Sequence, residues 1–123
     1  MISLLEYINK TKTSEYTTDK KDPNNWEVGD VLYGTAGFTM TLPRFYKIVK
    51  KTNKTFTVRR LEGKIVSGHH NGQWQEVATD KFYDGAKDET CRVNKWGYVR
   101  LGGKYGFSLS YYDGHPVYGD DMD

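Results

Sequence analysis

Short runs of apolar, aromatic and β-branched residues, separated by Gly and Asn, recur along the chain from Trp26 onward. Such spacing is typical of strands joined by tight turns, and it predicts a mainly β protein. The predicted strands are Asp30 to Gly34, Phe45 to Lys51, Thr55 to Leu61, Gln73 to Ala78, Trp96 to Leu101 and Phe107 to Tyr111. Five or six short strands over about 90 residues favour a small SH3-like, or related, antiparallel barrel.

The second and third predicted strands form the best-defined unit, a β-hairpin. The loop Thr52 to Lys54 has the length of a tight turn and is predicted to place Asn53 in a left-handed conformation. Alternation predicts four inward-facing residues, Tyr46, Ile48, Phe56 and Val58. The residues predicted to face outward are Lys47, Lys51, Thr57 and Arg59. The basic side chains of the hairpin are therefore expected on one exposed face.

Residues 1–21 differ in composition from the rest of the chain. An apolar stripe predicts a short N-terminal helix, and its residues are Ile2, Leu4, Leu5 and Ile8. A polar connection rich in Thr and Lys follows it. Pro23 then ends any helix, so we expect residues 22–123 to form the β-barrel domain, with an acidic C-terminal end.

The chain length and composition limit the class of protein to which this sequence can belong. With 123 residues, the chain is the size of one domain and is long enough to bury a core. Hydrophobic residues make up only 37% of the chain, so we expect aromatic side chains to supply much of that core. No apolar run approaches the roughly 18 residues that cross a bilayer, and the N-terminus lacks the features of a signal peptide. We therefore expect a cytoplasmic protein without a membrane partner, either a monomer or a homodimer.

The formal net charge of +2 conceals an uneven distribution. Residues 44–64 hold eight basic side chains and one acidic one. This segment is a candidate surface for nucleic acid or for an acidic protein, since Lys and Arg neutralise phosphates while exposed aromatics stack on bases. The candidate residues are Lys47, Lys50, Lys51, Lys54, Arg59, Arg60, Trp96 and Tyr98. The same charges also suit two structural roles, protection of the hairpin edge and pairing with the acidic end.

The C-terminal end, residues 113–123, has four carboxylates and no basic residue. Such an end is most often a solvated terminus that aids solubility. It also suits a cation, or a basic groove on a partner, where carboxylates take the place of phosphates. The candidate residues for contact with a basic partner are Asp120, Asp121 and Asp123.

Catalytic chemistry has little support in the sequence. The single Cys91 excludes an internal disulfide and a four-cysteine zinc site, and no spacing pairs it with His115 as a nucleophile. A zinc site from His69, Cys91 and His115 is conceivable, but His69-His70-Asn71-Gly72 is typical of a polar turn. The charged stretch 80–89 is predicted to be a surface loop. We therefore predict no catalytic residue, no metal site and no cofactor; a small metal-dependent enzyme is the third hypothesis.

Several segments resemble a family of short uncharacterised proteins carried by phages, prophages and plasmids. The resemblance spans about residues 28–118 and rests on Gly29-Asp30-Val31-Leu32-Tyr33, Phe45-Tyr46-Lys47-Ile48-Val49, Thr55-Phe56-Thr57-Val58-Arg59 and Asp113-Gly114-His115-Pro116-Val117-Tyr118. It implies a non-enzymatic binding protein that acts in the cytoplasm of a host bacterium. The expected function is inhibition of a host nucleic-acid-directed defence, a CRISPR effector or a restriction nuclease, by occlusion of its functional surface. The expected partner is a host defence protein or ribonucleoprotein; direct nucleic-acid binding through the basic hairpin is the alternative.

Overall fold

The structure is a computed structural model that describes residues 19–37, 39–69, 72–103 and 106–121. A 3-10 turn, Pro23–Asn25, precedes eight strands: β1 Val31–Ala36, β2 Leu42–Lys51, β3 Phe56–Gly68, β4 Gln73–Phe82, β5 Glu89–Cys91, β6 Val99–Leu101, β7 Phe107–Tyr111 and β8 Val117–Asp120. The predicted mainly β class is confirmed. The predicted N-terminal helix lies outside the described residues. Within the described ranges, no helix has the length and apolar character needed to cross a membrane.

The strands form one antiparallel sheet in the order β6-β7-β1-β2-β3-β4-β8. Strand β5 lies off this order and also pairs with the long strand β3: Phe56–Val58 pair with β5, and Leu61–Gly68 pair with β4. Two isolated bridges, Thr41 with Asp120 and Val93 with Val99, add contacts beyond this path. The prediction of five or six strands is wrong, because the structure has eight; an SH3-like barrel stays a prediction.

Two apolar clusters form the core. The larger draws on β1, β2, β3, β5, β6 and β7 and comprises Trp26, Leu32, Tyr46, Ile48, Phe56, Val58, Cys91, Val99, Leu101 and Leu109. The smaller comprises Phe45, Leu61, Tyr112 and Val117. Successive strand residues point to opposite sides of a sheet, so Phe45 enters one cluster and Tyr46 the other. The four residues predicted to face inward from the hairpin are all buried, which confirms that prediction.

The β2–β3 hairpin departs from strict alternation at a bulge between Ile48 and Lys50. As a result, Lys50 rather than Val49 pairs with Thr57, and Lys51 pairs with Phe56 at the end of the strand. Lys51 therefore leaves the face on which it was predicted. A bulge adds one residue to one strand, so every later side chain of β2 changes face.

The hairpin turn also differs from its prediction. Asn53 has no positive φ, so the expected left-handed conformation is wrong. The Thr52 hydroxyl instead accepts the backbone N–H groups of Lys54 and Thr55, at 3.3 Å and 3.0 Å. A side chain that satisfies turn amides removes the need for a left-handed residue.

Several other predicted boundaries move. Strand β3 continues to Gly68, and β4 continues to Phe82, so Asp80 lies in a strand and not in the predicted loop. Strand β5 was missed, since Glu89-Thr90-Cys91 is short and half polar. The acidic end is not simply a solvated terminus, because β8 pairs with β4 and buries Val117. The burial of Val117 in the core thus favours a strand in spite of the flanking carboxylates.

Candidate functional site

A tight turn, residues 94–98, presents two large aromatic side chains to solvent, and we call it the aromatic turn. Trp96 is 69% exposed and Tyr98 is 62% exposed. Large aromatics normally bury most of their surface, so two neighbours left this exposed are a candidate contact surface. The strand predicted from Trp96 begins only at Val99, so both side chains lie on the turn before β6, and their role in stacking stays a prediction.

Hydrogen bonds from Asn94 hold the aromatic turn in one conformation. The Asn94 side-chain oxygen accepts the backbone N–H groups of Trp96, at 3.0 Å, and Tyr98, at 2.9 Å. The Asn94 backbone adds two more bonds, to Gly97 and Tyr98. Gly97 has a φ of 88°, which only glycine adopts without strain. The aromatic side chains are therefore carried by a pre-organised backbone.

Three lysines lie at or next to the aromatic turn. Lys95 Nζ sits 4.5 Å from the centre of the Trp96 ring. Val93, just before the turn, lines a small cleft of about 200 Å³ together with Lys51 and Lys54 of the hairpin turn. We call the surface formed by Lys51, Lys54, Lys95, Trp96 and Tyr98 the aromatic–lysine surface. Two of the predicted basic residues thereby border Val93, the residue that immediately precedes the aromatic turn.

A larger groove of about 930 Å³ is lined in part by Gly97 and Tyr98 of the aromatic turn. Tyr98 lines it together with Tyr33, Tyr111 and the ring of Trp26. Lys20 lies at its edge, 5.9 Å from the Tyr111 ring, where it pairs with Asp30 at 2.8 Å. The exposed Tyr98 thus borders a concave aromatic surface.

The remaining basic residues of the hairpin do not share one face. Lys47 and Arg59 are paired in register and lie on one side of the sheet. Lys50 pairs with Thr57, two residues before Arg59 on β3. Arg59 is neutralised, because its Nε donates to Asp88 Oδ1 at 2.7 Å. Arg60, the next residue, points to the opposite side. The expectation of a single basic face is therefore wrong for Arg60, and Lys51 leaves that face at the bulge.

Arg60 lies in a separate groove of about 680 Å³, which we call the arginine groove. Its guanidinium carbon is 3.8 Å from the centre of the Tyr83 ring. Arg44 lines the same groove, and burial together with the Arg60 charge lowers the pKa of Arg44. The groove also contains Glu62, Glu76 and Asp121.

The candidate acidic residues are also separated. Asp120 ends β8 and exchanges two backbone hydrogen bonds with Thr41, both 2.7 Å, while its carboxylate accepts the Tyr118 hydroxyl at 2.9 Å. Asp121 lines the arginine groove. Asp123 lies outside the described residues. The two described carboxylates are thus built into or next to the sheet.

The remaining candidates for chemistry have ordinary structural partners. Cys91 is buried in β5, its thiol faces the Phe56 carbonyl at 3.7 Å, and burial raises its pKa to about 11. His115 hydrogen-bonds Asp113, and bonds from its ring and backbone lower the pKa of the Asp113 carboxyl. His69 is exposed, and His70 lies outside the described residues. Within the described ranges, no group of three or more His, Cys, Asp or Glu residues is placed to hold a metal ion.

Comparisons of the chain with protein-family models, with curated proteins and with solved structures found no match.

Sequence reasoning missed Asn94 and Lys95 at the aromatic turn and Arg44 and Tyr83 in the arginine groove. The signal for the first two was present, since Asn94-Lys95-Trp96-Gly97 has the Asn and Gly of a tight turn on either side of Trp96. Arg44 and Tyr83 are 39 positions apart in the sequence, and only the pairing of β2, β3 and β4 brings them into one groove.

Proposed function

We propose that this chain is a binding protein without catalytic activity that contacts its partner through the aromatic–lysine surface. The observation that carries this proposal is the exposure of Trp96 and Tyr98 on a turn fixed by Asn94. Aromatic side chains dominate binding hot spots, and a rigid display lowers the entropy lost when a partner binds. Lys54 and Lys95 would favour a partner with negative charge, whereas Lys51 already pairs with Glu27 at 3.6 Å.

The partner we propose is a host protein or ribonucleoprotein of nucleic-acid-directed defence, a CRISPR effector or a restriction nuclease. The protein would inhibit it by covering the surface on which nucleic acid binds or is cleaved. The support for this class of partner is the resemblance to short proteins of phages, prophages and plasmids. The aromatic–lysine surface is compatible with it, because exposed aromatics with a polar rim are typical of protein interfaces.

Direct binding of single-stranded nucleic acid is the second candidate function. Lysines within reach of phosphates and aromatics free to stack on bases are the two components of such sites. The observation that favours it is the position of Lys95 on the Trp96 ring, with Lys51 and Lys54 beside Val93. Binding would then be strongly salt-dependent, since it releases counterions.

We propose further that the sheet closes into a small SH3-like barrel. The support is the bridge between Val93 and Val99, which links the segment after β5 to β6. The larger apolar cluster also takes side chains from six strands, as the interior of a barrel would. The aromatic turn connects the two residues of that bridge and would lie at one mouth of the barrel.

The experiment that tests these functions compares Trp96→Ala and Tyr98→Ala with Val66→Ala, a control at another exposed position, 49% accessible. Defence inhibition is measured as the cleavage rate of a purified effector or restriction nuclease, and as phage plating efficiency on a host carrying that system. We expect the wild type and the Val66 variant to inhibit, and the two aromatic variants to lose inhibition. Equal inhibition by all four proteins would contradict the proposed surface.

Fluorescence anisotropy with labelled single-stranded DNA and RNA tests the second candidate. Direct binding predicts an affinity that falls steeply between about 50 and 200 mM salt and falls further on Trp96→Ala. Inhibition without detectable binding at low salt would favour the protein partner. Neither inhibition nor nucleic-acid binding would overturn both functions.

A further inference from the structure

Two arginines of the arginine groove have no ion-pair partner in the part of the chain that the structure describes. Arg44 lies on β2 and Arg60 on β3, and Arg60 pairs in register with Tyr46, two residues from Arg44. None of the ion pairs among the described residues includes either arginine. Arg44 donates one hydrogen bond, from Nη1 to the Pro43 carbonyl at 3.1 Å. A guanidinium carries five N–H donors, so most of this donor capacity is unused within the described structure.

The Arg60 side chain is held in place although its donors are unsatisfied. Its guanidinium stacks on Tyr83, and the Tyr83 backbone N–H donates to the Arg60 carbonyl at 2.9 Å, which fixes the two residues together. The Arg60 Nε atom is buried and has no hydrogen-bond partner in the described part of the chain. A buried donor without a partner is costly, so the stack on Tyr83 holds the guanidinium in a position where this hydrogen bond is lost.

The nearby carboxylate of Glu76 is engaged away from the arginines. Its Oε1 accepts the Trp74 indole N–H at 2.9 Å. Its Oε2 lies so close to Gly63 that a Cβ at that glycine would be 1.7 Å from it. Gly63 and Trp74 thus keep the carboxylate beside β3 and β4, so the two guanidinium groups are not neutralised by direct contact with it.

The two guanidinium charges favour an anion between them, in a groove whose lining also holds the carboxylates of Glu62, Glu76 and Asp121. Burial and the Arg60 charge lower the pKa of Arg44, which reflects the cost of two like charges in a partly desolvated site. Arginine binds phosphate and carboxylate oxygens through paired N–H groups, and such charge-assisted bonds are stronger than neutral ones. An oxyanion would therefore satisfy both the charge and the unused donors.

The groove is larger than a bare anion needs, and its lining combines charged, apolar and aromatic residues. Its volume of about 680 Å³ falls within the range of small-molecule sites. Leu42, Ile65 and Trp74 give it apolar walls, and Tyr83 remains 45% exposed, which leaves ring surface for an aromatic ligand. The carboxylates of Glu62 and Asp121 are acceptors for hydroxyl or amino groups.

We propose that the arginine groove binds a nucleoside monophosphate, with its phosphate between Arg44 and Arg60. The base would lie against the exposed part of Tyr83, and the ribose hydroxyls would donate to Glu62 or Asp121. Each part of this ligand matches a feature of the lining. The phosphate matches the guanidinium pair, the base matches the aromatic ring, and the ribose matches the carboxylates. The site is separate from the aromatic–lysine surface and does not depend on its function.

Isothermal titration calorimetry of the full chain with AMP, GMP, CMP and UMP tests the proposal, with inorganic phosphate and adenosine as partial ligands. We expect at least one monophosphate to bind more tightly than either partial ligand. Arg44→Gln and Arg60→Gln should each weaken that binding by about tenfold or more, because each variant loses one charge-assisted contact. Arg100→Gln is the matched control, since Arg100 is exposed on β6, where its side chain donates to the Gly106 carbonyl at 2.9 Å. Trp96→Ala should also leave nucleotide binding unchanged.

Three outcomes would overturn the proposal. The first is that none of the four monophosphates binds at millimolar concentration. The second is that adenosine binds as tightly as AMP, which would remove the role of the phosphate. The third is an equal loss of affinity in the Arg44, Arg60 and Arg100 variants. Thermal unfolding of every variant shows that the protein is folded; if Arg60→Gln unfolds, Arg60→Lys keeps the charge without the paired donors and should still weaken binding.

Discussion

Gly119 of β8 lies directly against the indole ring of Trp74 on β4. A Cβ at Gly119 would be 2.4 Å from Trp74 Cε2, whereas real Cβ atoms essentially never come within 3.0 Å of another heavy atom. The indole is almost fully buried, so it has little room to move. The pairing of β8 with β4 therefore depends on the absence of a side chain at this position.

Gly119→Ala is expected to destabilise the fold by about 1–3 kcal/mol, because the added methyl overpacks a buried contact. Urea denaturation measures this as a lower midpoint with an unchanged slope. Gly72→Ala is the matched control, since no atom lies within 4 Å of its Cβ position and its φ is not positive. A Gly119 variant as stable as the control would show that the Trp74 contact does not constrain β8.

Ile48→Ala is expected to destabilise the protein by about 2–5 kcal/mol, since Ile48 is fully buried in the larger apolar cluster. The cost combines lost burial with the cavity that remains. Val66→Ala removes a side chain from the same hairpin region, on β3, where it is 49% exposed, and should change stability by less than about 0.5 kcal/mol. Equal losses in the two variants would contradict the assignment of Ile48 to the core.

Asp88→Asn removes the partner of Arg59 and leaves an uncompensated positive charge on the face that carries Lys47. We expect a small loss of stability, about 1 kcal/mol or less, because both side chains are partly exposed. If this face contacts nucleic acid, affinity for single-stranded DNA at low salt should rise. Asp84→Asn makes the same charge change in the nearby loop, so an equal rise there would indicate a nonspecific effect.

Stability is expected to fall with rising pH in the range above pH 9, and Cys91 accounts for part of this loss. The Cys91 pKa is about 11 in the folded protein against 9.0 as its reference. The folded state therefore keeps its proton more tightly, so the contribution of Cys91 is complete below pH 9 and is lost as the pH rises through 11. Between pH 8 and pH 10 the loss should be about 1 kcal/mol.

Urea midpoints of the wild type and of Cys91→Ala at pH 8 and pH 10 measure this contribution. The alanine variant should be less stable at pH 8, because it removes a buried side chain, but should lose less on going to pH 10. The pKa values of Tyr46 and Tyr112 are also raised, mainly by burial, and contribute equally in both proteins. Parallel pH dependences would show that the thiol does not titrate as expected.

The sequence predicted the β class and the core of the hairpin because alternation is strong there, as in Tyr46-Lys47-Ile48. It failed after Ile48, since a bulge inverts the faces of later residues and leaves no mark in the composition. The end of the chain was misjudged because carboxylates beside Val117 obscured a strand whose partner, β4, is some 40 residues away.

The candidate surfaces were predictable to different degrees. Trp96 and Tyr98 were placed in a predicted strand, although the nearby Asn94 and Gly97 mark the local turn on which both side chains are exposed. The division of Arg59 and Arg60 between two sides of the sheet follows from strand geometry alone. The arginine groove required the non-local pairing of three strands, which no local pattern in the chain specifies.

Strand β3 joins the two apolar clusters through a single stretch of backbone, with Val58 in the larger and Leu61 in the smaller. It also pairs with β2 throughout Phe56–Leu61, with β5 near its start and with β4 beyond Leu61. Neither half of the molecule can open fully without breaking bonds to this strand. We expect the two clusters to unfold as one cooperative unit, with the slowest hydrogen exchange at the amides of Val58 to Leu61.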